Sequence, residues 1–438
     1  EIYATFVLAV VAEEDTSRPV WPSCPSIGWS GGVHTLDSRP IAGKNLTTPT
    51  HGTLIETHRP KWHGDGFASV NGLTPINPAP GDHPPCALPP CNWQGIFPSN
   101  IPLNLTQQPT GPSEPNVFSS ESPGASVMSS FESMSATLTE DHWGVHGGAP
   151  WDNCTGSNFK RECVGGNSMA QRNYPCDNFI AVYWGHPAAA MLNQTGEHAF
   201  KRQLFQCMIA QALIIKQNIE LTRATPRFGI LVWQYNEVWP TGGWGSVEYG
   251  NPRFKGQVIG GRWKPLQYWF RASLFADIIS TCDVVKGLCY VKNDAPVAFV
   301  GYVVLNATRF SSGVVTTVAR HDVDLDAGAG TIEWFKSPPI AALSASMYAL
   351  EAIVVSSVDG SVQSTNVVAL ATPQHMQLTP ANVSVVPHRS STSAFVANVK
   401  CDAVAMYVTL TTLAHGRFSD NAVLVRPPGV TITFELAA

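Results

Sequence analysis

Glu121 closes a run, Val117-Phe118-Ser119-Ser120, that reads as a strand. A second, fully apolar run, Phe228-Gly229-Ile230-Leu231-Val232-Trp233, leads into Gln234-Tyr235-Asn236-Glu237. A carboxylate at one strand mouth and an indole at another suit the cleavage of glycosidic bonds. The carboxylate attacks or stabilises an oxocarbenium-like carbon, and the aromatic face packs against the apolar face of a sugar ring. Taken by themselves these residues are a weak signal, because a Glu after a strand is usually a solvated loop residue and a lone Trp is usually core. The nearest competing carboxylate, Glu132, falls in Phe131-Glu132-Ser133-Met134, which reads as the start of a helix.

Such residues need strands and helices to hold them. Leu204, Met208, Ala212, Ile215 and Ile219 recur at spacings of three and four, so Lys201 to Ala224 is predicted as a helix. The apolar run before Trp233 fits a parallel strand buried on both faces, and Leu266 to Ile279 reads as the next helix. Strand, long loop and helix in this order predict part of a (β/α)8 barrel, whose chemistry sits at the C-terminal strand ends. After Cys282 the pattern changes. Val297–Asn306, Val314–Ala319, Ile353–Val355, Val367–Ala371, Ala394–Val399, Ala405–Leu410 and Val430–Leu436 are short β-rich runs between turn residues. They predict one or two immunoglobulin-like β-sandwich domains. The expected division is 1–281 for the C-terminal portion of the barrel, 282–371 for a first sandwich and 372–438 for a second. Residues 28–108 and 151–175 read as long insertions, and Ile2 to Glu14 as a buried helix followed by a short strand, Val20 to Ser23.

Composition narrows the setting. Charged residues are 13% of the chain and the formal net charge is -5, with no Lys/Arg run, so nucleic acid is not an expected partner. The run Ile2 to Ala12 is too short to span a membrane and lacks the basic flank of a signal peptide. Ten cysteines are present, several of them close together, as in Cys86–Cys91, Cys154–Cys163–Cys176 and Cys282–Cys289. Asn-X-Ser/Thr sequons occur at Asn45, Asn104, Asn153, Asn193, Asn306 and Asn382. Together they predict an oxidising, glycosylating compartment, secreted or lysosomal/vacuolar. Asp82, His83, Cys86 and Cys91 lack a CxxC pair, so no metal or other cofactor is expected.

The block Leu231-Val232-Trp233-Gln234-Tyr235-Asn236-Glu237-Val238-Trp239-Pro240, then Trp244, Glu248-Tyr249 and Gly261-Arg262-Trp263-Lys264-Pro265-Leu266-Gln267-Tyr268, resembles a tryptophan-rich stretch of eukaryotic lysosomal-type β-mannosidases, members of glycoside hydrolase family two. Ala12 to Pro19, Thr139-Glu140-Asp141-His142-Trp143 and Gly416-Arg417-Phe418-Ser419-Asp420-Asn421 resemble further family segments in the same order. The likeness covers most of the chain, the two insertions excepted.

The resemblance implies a retaining exo-β-mannosidase acting on terminal non-reducing β-D-mannose of oligosaccharides or glycoproteins. It implies that Glu121, in Ser120-Glu121-Ser122-Pro123-Gly124, is the nucleophile. The family has one aromatic residue where Ser122-Pro123 stands, so the turn after Glu121 departs from the family pattern. It further implies that Trp233 is a sugar platform, that His83 in Gly81-Asp82-His83 bonds the sugar, and that Trp244 and Asn236 lie on the substrate side, where Asn236, with Glu237, orients the loops. The family's general acid/base precedes the stretch matching Ala12 to Pro19. The expected remedy is a second polypeptide or segment that completes the barrel and supplies it. The altered turn and the insertions motivate an alternative: a catalytically inactive, mannosidase-like glycan-binding or structural glycoprotein.

Overall fold

A computed structural model describes residues 6, 9–11, 13, 14, 118–122, 127–145, 180, 183–185, 191, 192, 194–224, 229–232, 234–237, 243–254, 257–283, 286–327 and 331–437. Among them the chain is mostly β-sheet, with one long helix. The expectations for His83, Trp233, Asn45, Asn104, Asn153 and Asn193, and for both insertions and the Val20 to Ser23 strand, lie outside the described residues.

Strand β1 (Phe118–Ser122) is followed by a short helix, α1 (Phe131–Ser135), and then by α2 (Glu197–Arg223). Gly196, at a φ of +94° that favours glycine, turns the chain into α2. The predicted stripe of α2 is buried: Leu204, Met208, Ala212, Ile215 and Ile219 are at most 4% exposed. Strand β2 (Gly229–Val232) then pairs in parallel with β1. Their register slips by one residue between Ser119 and Ser122, so the backbone bulges where Glu121 sits. Ile230 and Val232 pack against the cluster built on α2. Leu231, which alternates to the other side, is 54% exposed. Among the described residues α2 covers one face of β2 and none covers the other.

A hairpin of β3 (Gly250–Phe254) and β4 (Gln257–Gly260) leads to α3 (Pro265–Trp269), which starts at a proline with no need of a backbone donor. The helix expected to run to Ile279 stops early. A wider turn, Phe270–Leu274, ends it, and Ile278 and Ile279 already belong to β5 (Ile278–Asp283). Alternating burial toward two different cores made this strand resemble a helix.

Strands β5, β6 (Leu288–Asn293) and β9 (Thr331–Lys336) form an antiparallel sheet. It faces a second sheet in the order β11-β10-β7-β8, made of β7 (Phe299–Arg309), β8 (Val315–Leu325), β10 (Tyr348–Ser356) and β11 (Val362–Ala369). The shared core includes Val303, Leu305, Leu350, Ala352 and Val354, each 0% exposed. Cys282 and Cys289 oppose each other on β5 and β6 and form a disulfide. These cysteines therefore staple the β5–β6 hairpin.

The C-terminal unit holds a four-stranded sheet in the order β12-β13-β17-β15: β12 (Val383–Arg389), β13 (Ala394–Cys401), β15 (Gly416–Phe418) and β17 (Gly429–Leu436). Against it lies the narrow pair β14 (Ala405–Val408) and β16 (Val423–Val425). Cys401 is a free, buried cysteine.

Polar groups lock α2 to the first sandwich. Every residue of β6 is buried, because Cys289 and Val291 face the sandwich core while Tyr290 meets Trp334 and the C-terminal end of α2. The Tyr290 hydroxyl donates to the Glu220 carbonyl at 2.8 Å, and Arg223 reaches Asp294 at 2.7 Å. Lys216, paired with Glu220 one helical turn on, also donates to Asn366 Oδ1 at 2.6 Å. Asn366 Nδ2 in turn donates to Glu220 Oε1 at 2.7 Å and to the Ser280 carbonyl at 3.0 Å. Burial pushes the Lys216 pKa down, and Glu220 pulls it back. The two sandwiches are joined by Arg426, which donates to Glu351 at 2.5 Å and Thr308 at 3.1 Å.

Asn366 is fully buried and satisfies a buried charge. Asn366→Leu is expected to lower unfolding free energy by about 1–3 kcal/mol, the usual penalty for orphaned buried polar partners. Denaturant unfolding with an unchanged slope checks this.

Candidate functional site

The site is built on the ends of β1 and β2. The extra residue of the β1 bulge falls where Glu121 sits, and backbone pairing sets β1 beside the strand that leads to position 233. The chain after Glu121 does not run free. Val127 exchanges backbone hydrogen bonds with Gly243, at 2.6 and 3.2 Å. The Ser129 hydroxyl accepts from the Tyr249 amide at 3.3 Å. The segment after β1 is thus laced onto the tryptophan-rich block.

Two buried ion pairs hold that block in shape. The first joins Glu237 to Lys264, whose side chains are 1% and 0% exposed. Glu237 Oε1 also accepts from the Gly245 amide at 3.1 Å, and Lys264 Nζ reaches the Val127 carbonyl at 3.4 Å. Both glycines are required by closeness. A Cβ on Gly243 would overlap the Glu237 carboxylate, and one on Gly245 would meet the backbone carbonyl carbon of Asn236 at 2.6 Å.

The second pair joins Glu248 to Arg262 at 3.4 Å, with side chains 4% and 8% exposed. Glu248 accepts from the Ser130 amide at 3.0 Å and from the Ser133 hydroxyl at 2.5 Å, and Arg262 Nη1 donates to Ser133 at 3.0 Å. The Glu248 carboxylate thus closes the first turn of α1. Ser246, between the two pairs, donates to Gln267 Oε1 at 2.8 Å.

The predicted residues separate under this geometry. Trp244 lies inside the laced loop, where its carbonyl accepts from the Gln234 amide at 3.2 Å and Gln211 Nε2 on α2 at 3.4 Å. Asn236 is exposed next to it, and its side-chain amide donates to the Glu237 carbonyl at 3.4 Å. Glu237 orients the loop from within the core. Glu132 lies on α1 and accepts from Thr411 of the C-terminal unit at 2.8 Å. That places the competing carboxylate at a contact between units.

Glu248, Arg262 and Lys264 belong to the tryptophan-rich block, and the resemblance implies no role for them. A signal was available. In a chain with 13% charged residues, opposite charges embedded among Trp, Tyr and Pro are candidates for buried pairs. Tyr268, at the end of the block, sits in the core of the C-terminal unit and meets Trp263 edge-on at 5.2 Å. Burial raises the Tyr268 pKa to about 12, only partly opposed by its hydrogen bonds to Phe418 and Asn421. No group of His, Cys, Asp or Glu suited to a metal occurs among the described residues. None of the described helices is long and apolar enough to cross a membrane.

Residues 378–438 match the mannosidase Ig-fold domain family. A β-mannosidase from Capra hircus is 26% identical over 253 residues, 54% of this chain and 27% of the relative. The β-mannosidase of Bos taurus matches to the same extent. A solved β-D-mannosidase from Dictyoglomus thermophilum is 18% identical, with a TM-score of 0.51 over 73% of this chain and 35% of that one. The chain is similar to the C-terminal part of β-mannosidases of glycoside hydrolase family two. The matching part spans about a quarter of the curated relatives' length, 27% in each.

Lys264→Met leaves the Glu237 carboxylate buried without its cation. It is expected to cost about 3–5 kcal/mol of stability. Lys264→Met combined with Glu237→Leu is expected to recover a large part, because no lone charge remains to desolvate. Denaturant unfolding of both variants checks the coupling, and strictly additive losses would show that the two residues do not act as a pair.

Proposed function

We propose that this chain supplies the nucleophile side of a retaining exo-β-mannosidase, in which Glu121 attacks the anomeric carbon of a terminal β-mannoside. The observation that carries this reading is the parallel pairing of the bulged Glu121 strand with β2, beside a block that two buried ion pairs fix in place. The β-mannosidase relatives and the mannosidase Ig-fold match support the same class of hydrolase.

A parallel strand pair with α2 between its members is one unit of a (β/α)8 barrel. In our reading residues 1–281 form the C-terminal portion of such a barrel, and 282–371 and 372–438 are sandwich domains. The exposed side of Leu231 then faces the barrel interior and waits for the remaining strands. A second polypeptide or segment completes the barrel and carries the general acid/base. Retention of configuration requires the two carboxyls to lie about 5–5.5 Å apart. Trp233, His83 and Trp244 line the sugar subsite, and Asn236 borders it. The disulfide between Cys282 and Cys289 supports a secreted or lysosomal/vacuolar location.

With the barrel completed, Glu121→Gln is expected to lower kcat on an aryl β-mannoside by on the order of 10⁴-fold or more, with the melting temperature unchanged. Near-normal turnover would remove Glu121 from the mechanism. Equal loss in Glu132→Gln would transfer the role to Glu132.

A further inference from the structure

Among the described residues strand β12 is the outer edge of the C-terminal sheet, and all seven of its residues are exposed. Its overhang has a structural cause. A four-stranded sheet packs against the two-stranded β14–β16 pair, which is too narrow to reach β12. Val383 and Val385 lie opposite the buried Cys401 and Val399, on the core side, yet each remains 42% exposed. Val386, on the other side, is 52% exposed. A free strand edge with exposed valines is a template for pairing with another chain, and folded proteins normally protect such edges.

The sequon Asn382-Val383-Ser384 opens this strand. Ser384 lies opposite the exposed Lys400, so the serine and its acceptor asparagine have open space on the outer face. Asn382 is presented by Asp402, whose Oδ1 and Oδ2 accept from the Asn382 amide and from Nδ2 at 2.8 and 2.6 Å. Those hydrogen bonds, the side-chain one foremost, hold the Asp402 carboxyl below its usual pKa. The sequon at Asn306 is built differently. Asn306 lies in the middle of β7, its Oδ1 accepts from Thr317 at 2.8 Å, and its Thr308 is 0% exposed with the hydroxyl engaged by Arg426.

We propose that Asn382 carries an N-linked glycan that shields the unpaired β12 edge, and that Asn306 stays bare. In the transfer, Asn382 Nδ2 attacks the anomeric carbon of a lipid-linked oligosaccharide diphosphate. The bond from that carbon to the diphosphate oxygen breaks, the lipid diphosphate leaves with the electron pair, and one amide proton passes to a base of the transferase. The remaining N–H still donates to Asp402. The inference draws on the secretory location, so its test separates the two.

The full chain is expressed through a eukaryotic secretory pathway with any segment that completes it, and its peptides are mapped with disulfides intact. Glycan at Asn382 and none at Asn306 is the expected result. A disulfide at Cys282–Cys289 beside a bare Asn382 overturns the site while leaving the compartment standing; free thiols there would contradict the compartment itself. Ser384→Ala removes the sequon but keeps the Asn382–Asp402 hydrogen bonds, so it isolates the glycan from the fold. The Ser384→Ala variant is expected to self-associate severalfold more by light scattering, and Val385→Lys in that background is expected to reverse this. Unchanged self-association in Ser384→Ala overturns the shielding role.

Discussion

The buried pairing of Glu237 with Lys264 is the interaction on which the candidate site depends. A carboxylate and an ammonium that are almost entirely out of water tolerate each other only in tight geometry with further hydrogen bonds. Lys264 meets that demand by reaching back to Val127, and Glu237 by accepting from Gly245. Because Val127 follows the Glu121 strand and Lys264 caps α3, one ion pair ties the strand ends of the parallel pair to the helix that leads into the sandwich domains. Glu248 and Arg262 repeat the arrangement one step outward, against α1. The block that looks like a sugar-binding signature therefore has a second physical role: its charges shape the loop on which the aromatic residues stand.

Rigidity of this kind suits the nucleophile role proposed for Glu121. A carboxylate placed an ångström away from its line of attack loses much of its rate. Here the backbone that carries Glu121 is paired with β2, and the Val127–Ser133 segment that follows it in sequence is laced onto the tryptophan-rich block. The long helix α2 underlies both and is itself anchored by Lys216, Glu220 and Asn366 to the first sandwich. The sandwich domains thus contribute to the site through α2 and α3 as well as through their own stability. Tyr268 on α3, buried in the C-terminal core, extends that support to the end of the chain.

Much of the architecture was legible from periodicity. The α2 stripe, the strands β7, β8, β10, β11, β13, β14 and β17, and the short helix at Phe131 follow directly from apolar spacing and turn residues. What escaped the sequence has physical reasons. Strands β5 and β6 are buried on both faces, between the sandwich core and α2, so they lack a period of two and β5 merged with the preceding helix. Strand β12 is exposed on both faces and shows no burial pattern at all. The exposure of Leu231 depends on what covers the second face of β2, which no local pattern encodes. In the site, the residue types at Glu121 and in the tryptophan-rich block suggested sugar chemistry. Opposite charges inside that block hinted at buried pairs, but which carboxylate meets which cation, Glu237 with Lys264 and Glu248 with Arg262, is decided by the fold of the loop between them.

The central claim is that the bulged strand end presents Glu121 as the attacking group. It is tested most directly by trapping the covalent intermediate. A fluorinated β-mannosyl inactivator forms the glycosyl ester quickly and hydrolyses it slowly, so the labelled carboxylate persists for peptide mass spectrometry. With the barrel completed, one mannosyl label on the peptide containing Glu121 is the predicted result. Full inactivation with the label on Glu132 or any other carboxylate would contradict the account.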